Sequence, residues 1–152
     1  MRFLRYFMLL ALAAPFAVQA QREKLPPEDL AIVRERWPEA EKNATGLRFI
    51  VLREGTGQQA ERGNEVSVLF KGELLDGTVF DQIQDPAKPF TFRLGRGLVI
   101  DGWDWGIALM REGEKRLFIV PHELGYGSRG RAPNIPRRAT LIFEVELLKV
   151  KK

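Results

Sequence analysis

The 152-residue sequence contains no cysteine, and that absence removes several chemistries at once. No disulfide framework, thiolate metal site, cysteine nucleophile or acylated lipobox cysteine is available, so the fold must rest on packing. Histidine is nearly absent too. His122 is the single one, which excludes every metal or triad scheme that needs two, and between Pro121 and Glu123 it reads as a loop residue. Neither sign of charge is in large excess. The formal net charge of +4 includes Arg2 and Arg5 at the extreme N-terminus, and the rest of the chain is too weakly basic to point to a nucleic-acid partner. Apart from one N-terminal run, no stretch approaches the length of a membrane-spanning helix.

That run is informative. Arg2 and Arg5 precede an apolar segment over residues 6–17 that is short for a bilayer, and Val18-Gln19-Ala20 supplies small residues at a signal-peptidase site. Residues 1–20 are therefore expected to be a secretory signal cleaved after Ala20, giving an exported and periplasmic product. An uncleaved membrane anchor is the alternative, and only that case would bring a membrane partner. Pro15 argues against a buried N-terminal helix.

Residues 21–44 are charged and carry Pro26 and Pro27, with Leu30, Val33 and Trp37 at helical spacing. A short amphipathic helix fits residues 27–40, started by proline and ended near Pro38. It either packs on the main domain or contacts a second copy, and about three turns is short for independent association.

The domain proper is placed at 45–152. Residues 46–53, 64–71, 90–94, 114–121 and 139–150 read as strands, and Asp76-Gly77 as a tight turn between apolar runs. Ile100, Trp103, Ile107 and Met110 form one helical stripe that Gly113 ends. In the last strand Leu141, Phe143, Val145 and Leu147 face one way while Glu144 and Glu146 face the other. The pattern is α+β, an antiparallel sheet with one helix against it. Phe92, Leu94, Ile107, Met110, Leu141, Val145 and Leu147 are assigned to the core. A Gly, Pro and Arg loop over residues 122–138 is long enough to suggest function.

Two motifs fail. Gly125-Tyr126-Gly127-Ser128-Arg129-Gly130 has dinucleotide-binding spacing, but that site needs a helix opening after the glycines, and Pro133 and Pro136 follow instead. Asn43-Ala44-Thr45 spells a glycosylation acceptor, a triplet that arises readily by chance.

One constellation is specific. In order, Val79-Phe80-Asp81, residues 88–92 (KPFTF), Val99-Ile100-Asp101-Gly102-Trp103, Gly125-Tyr126-Gly127, Ile135-Pro136 and residues 139–148 (ATLIFEVELL) resemble the FKBP-type peptidyl-prolyl isomerases. Order and intervals match that family across residues 45–152. The resemblance implies a half-wrapped antiparallel sheet of about five strands around one short α-helix, here with a short N-terminal helical extension.

It also implies roles. Trp103 becomes the floor under a proline ring, with Phe80, Phe90, Val99, Ile100 and Phe143 as walls and Ile135 closing the pocket from the long loop. Tyr126 offers its hydroxyl and Ile100 its amide to a substrate carbonyl, and Asp81 makes a polar contact at the rim. Asp81, Trp103, Tyr126 and Phe143 are the implied catalytic set. Phe70 joins the lining, but many members carry tyrosine there, so a hydroxyl able to reach the Asp81 carboxylate is missing. Arg131 stands where some members have histidine, and Leu98 where an acidic residue is common. Arg129, Arg137 and Arg138 share its loop.

The implied activity is cis/trans isomerisation of X-Pro bonds in exported or folding proteins, with no cofactor or metal, and with macrolide inhibitors as further ligands. A catalytically weak FKBP-like peptide-binding or chaperone module is the alternative. The stretch between Tyr126 and Thr140 leaves no space for an inserted chaperone flap.

Overall fold

The computed structural model describes residues 22–152. The expected signal peptide and its cleavage site therefore lie outside the described residues. In order, the elements are α1 (Pro27–Arg36), β1 (Glu41–Lys42), β2 (Arg48–Arg53), β3 (Glu65–Leu74), β4 (Val79–Ile83), β5 (Phe90–Arg93), α2 (Asp101–Ile107), β6 (Lys115–Val120) and β7 (Leu141–Lys151). A single 3-10 turn, His122–Leu124, opens the long loop. No helix among the described residues is long and apolar enough to cross a membrane.

The strands form one antiparallel sheet ordered β1-β2-β6-β7-β3-β4, with β5 also on β3. About five strands were expected, and seven are present among the described residues. Part of the difference is a split edge. β5 pairs with the first half of β3, Val68 opposite Phe90, while β4 pairs with the second half, Phe70 opposite Ile83 and Gly72 opposite Asp81. The chain between β4 and β5 leaves the edge, and the gap opens the sheet beside α2. β4 is mostly exposed, so its period-2 signal is weak, and two-residue β1 is too short to leave one.

Alternation along β6 and β7 separates two cores. Phe118, Val120, Leu141, Phe143, Val145 and Leu147 point to the α2 side and join Trp103, Ile107, Met110, Phe92 and Leu94. All seven residues assigned to the core are buried. Leu117, Ile119 and Ile142 point the other way and are covered by Leu25 and Val33. α2 lies close on β6. A Cβ added at Gly106 would stand 2.8 Å from the Phe118 ring, so only glycine permits that approach.

The N-terminal extension belongs to this packing. Pro27 occupies the first turn of α1, which ends at Arg36, ahead of Trp37-Pro38. Val33 is buried on the sheet, Trp37 is half-buried, and Thr140 Oγ1 donates to Asp29 Oδ2 at 2.7 Å. Val33 and Trp37 are thus covered by their own domain, which meets the packing expectation. Ahead of the helix, Arg48 donates through Nη1 and Nη2 to the Glu23 carboxylate at 2.9 and 2.6 Å. The Lys24 and Leu25 amides donate to the same group. These bonds, Arg48 foremost, hold the Glu23 carboxyl down at about 2 from 4.5.

Candidate functional site

A cavity of about 320 Å³ lies between α2, the split edge and the long loop. Trp103 enters it from the first turn of α2 and is 4% exposed. Its ring meets Phe70 edge-on at 4.9 Å between centroids and 79°, and Phe143 at 5.3 Å and 76°. Phe90 stands 6.1 Å away. Phe80 in turn meets Phe143 at 5.5 Å and 89°. Edge-to-face contacts of this kind hold rings at fixed angles. The indole Nε1–H is buried without a hydrogen-bond acceptor among the described residues.

Local structure sets the walls. Asp104, buried on α2, accepts the amides of Gly95 and Gly97 at 2.8 and 3.0 Å, which ties down the turn after β5. Val99 and Ile100 follow that turn into the cavity rim. The Ile100 carbonyl accepts the Trp103 and Asp104 amides and so starts the helix beneath the site. Across the sheet, Gly72 faces Phe143 on β7 and Asp81 on β4. A Cβ at Gly72 would stand 2.6 Å from Phe80 Cζ and 2.7 Å from Phe143 Cε1.

The polar groups are few and peripheral. Asp81 is exposed at the rim. Tyr126 follows the 3-10 turn, where the Gly127 amide donates to the His122 carbonyl at 2.8 Å. Arg131 Nη1 donates to the Tyr126 hydroxyl at 3.3 Å, and its guanidinium carbon lies 5.6 Å from that ring's centroid. The hydroxyl thereby accepts and keeps its own proton to donate.

The cavity gathers Asp81, Trp103, Tyr126, Phe143, Phe70, Phe80, Phe90, Val99 and Ile100, nine of the ten residues singled out in the sequence. Ile135 stands apart. It is 5% exposed and lines an adjoining cavity with Ala132, Pro133 and Asn134. The cavity also takes in Ile83 and Leu98. Ile83 went unread because β4 carries so little period-2 signal. Gly72 could have been found only as a glycine interrupting a strand pattern. The dinucleotide-like glycines open no helix: Arg131 and Ile135 close a small bridge there instead.

The cavity thus has a floor of indole, walls of phenylalanine and a tyrosine hydroxyl at its mouth. The family model for FKBP-type peptidyl-prolyl cis-trans isomerase matches residues 56–148. An FK506-binding protein of Neisseria meningitidis serogroup A is 52% identical over 99 residues, covering 65% of this chain and 91% of that protein. Among solved structures, a peptidyl-prolyl cis-trans isomerase from Pseudomonas syringae aligns with a TM-score of 0.72 at 30% identity, over 82% of this chain and 92% of that one. FkpA from Escherichia coli gives 0.72 at 36% identity, over 82% of this chain but 58% of FkpA. The chain belongs to the FKBP-type peptidyl-prolyl cis-trans isomerase family.

Proposed function

We propose that the protein isomerises X-Pro bonds of folding polypeptides by seating the proline ring on Trp103. The barrier to rotation about a peptide bond is about 18–20 kcal/mol, because the amide nitrogen shares its lone pair with the carbonyl. Twisting breaks that sharing and makes the amide less polar. A dry aromatic cavity consequently favours the twisted form over the planar one, which needs solvation more. Lowering the barrier by about 6 kcal/mol raises the rate by roughly four powers of ten.

Phe70, Phe80, Phe90, Val99 and Phe143 exclude water from the ring. The Tyr126 hydroxyl donates to one substrate carbonyl and the Ile100 amide to another, while Asp81 contacts the substrate at the rim. No proton moves between protein and substrate, so no paired acid and base is required. Uncatalysed X-Pro isomerisation takes tens to hundreds of seconds near room temperature, slow enough to limit folding. The N-terminal charge and apolar pattern directs the protein to exported clients in the periplasm. FK506-type macrolides, named in the relative from Neisseria, compete for the same floor.

The observation that supports this most is the Trp103 ring, edge-packed by Phe70 and Phe143 at the base of a cavity whose polar side chains stand at its mouth. Exchange spectroscopy on a short X-Pro peptide tests it. Catalytic amounts of protein should accelerate interconversion, and Asp81→Ala and Tyr126→Phe should each reduce the effect about three- to hundredfold while staying folded. Unaccelerated interconversion in the presence of folded protein would leave a binding module instead.

A further inference from the structure

The second cavity shares Phe80, Asp81, Tyr126 and Arg131 with the aromatic one and continues to Ala132–Ile135. Because the two cavities share this border, a residue next to a proline seated on Trp103 can reach it. Arg131 is exposed there, donates to the neutral Tyr126 hydroxyl and to no carboxylate among the described residues. A guanidinium has five N–H donors, so most of them remain free. In this structure it is oriented by the hydroxyl and by the Tyr126 ring.

We infer that this adjoining cavity is a subsite for an acidic side chain next to the substrate proline, read by Arg131. The inference rests on the proline-binding role of the Trp103 cavity. A carboxylate seated against Ala132–Ile135 lies on the loop that carries Arg131, and an oriented fork of donors suits a carboxylate better than a neutral amide. Arg129, Arg137 and Arg138 are exposed on the same loop and add potential of the same sign. Asp81, on β4, is the opposing charge on the shared border. It would favour a lysine in place of the acid, and the four exposed arginines of the loop outnumber it.

The test uses peptides with Glu, Gln or Lys placed immediately before or immediately after proline, read both as kcat/KM and as binding affinity. At about 0.01 M salt, where screening extends to about 30 Å, wild-type protein should prefer Glu over Gln by about two- to fivefold at one of the two positions. The preference should fade at about 1 M salt. In Arg131→Gln the Glu:Gln ratio should fall to about one, and in Arg131→Glu the order should invert in favour of Lys. Ratios within one variant cancel any loss from the Tyr126 contact. A Glu:Gln ratio unaffected by both substitutions, in turnover and in binding, overturns the subsite. Turnover of the Gln peptides reports the isomerase activity separately, and if that fails the affinity ratios still decide the role of Arg131.

Discussion

Gly72 of β3 lies opposite Phe143 of β7, so close that a Cβ on the glycine would stand 2.7 Å from the phenylalanine ring. The same Cβ would stand 2.6 Å from Phe80. Two walls of the cavity therefore rest against bare backbone. Gly72→Ala should overpack this point and cost about 1–3 kcal/mol of stability. Because Phe80 is only half-buried, it should give way first and deform the cavity, so kcat/KM should fall in the same variant. Denaturant unfolding and turnover on one sample check both, and an unchanged midpoint would mean that the rings relax freely.

Under the proposed function Trp103 has two tasks that one substitution removes together. Its near-complete burial among Phe70, Phe90, Phe92 and Phe143 predicts that Trp103→Ala costs about 3–5 kcal/mol. Trp103→Phe keeps most of the apolar volume and should be milder in stability, yet turnover should still drop because the floor narrows. Comparing melting temperature with turnover across the two variants separates the tasks. Equal losses in both measurements would make Trp103 a core residue alone.

The Glu23–Arg48 pair makes stability depend on acid. Glu23 is held at about 2 in the folded chain against an ordinary 4.5, chiefly by the Arg48 hydrogen bonds. A depressed carboxyl stabilises the fold fully above its unfolded value and loses that contribution as pH falls toward the folded one. Glu23→Gln should accordingly lower the melting temperature at pH 7, and the gap to wild type should close between about pH 5 and pH 2. A gap independent of pH would show that the carboxylate's charge is not what anchors residues 22–25.

The proposed export is checked at the N-terminus of the mature chain. The order of charge, apolar run and small residues through Ala20 predicts a mature chain starting at Gln21. N-terminal sequencing of periplasmic material checks it. Full-length chain recovered only from membranes would favour the anchor.

The fold was legible wherever residues repeat with a clear period. Leu141, Phe143, Val145 and Leu147 alternate along β7, and Ile100, Trp103, Ile107 and Met110 mark the helix, although Ile100 precedes its first residue and Met110 lies past its last. β4 was seen only as a turn with flanking apolar residues. Its pairing to half of β3 is a long-range event that an exposed five-residue strand does not announce.

The sequence by itself determined the antiparallel α+β pattern and the absence of thiol and two-histidine chemistry, because these depend on residue type and local spacing, while the aromatic lining of the cavity was legible only through the family resemblance. Only the tertiary structure decided the rest. Register places Gly72 against Phe143, which makes a glycine part of the cavity wall. The split edge brings Ile83 into the lining, while Ile135 lines the neighbouring cavity instead of closing the aromatic one. The loop closes through the bridge between Arg131 and Ile135, and that sets one guanidinium, out of four arginines alike in sequence, beside the Tyr126 hydroxyl. Which of several equivalent side chains meets which partner depends on contacts between distant segments, and local pattern carries no record of those.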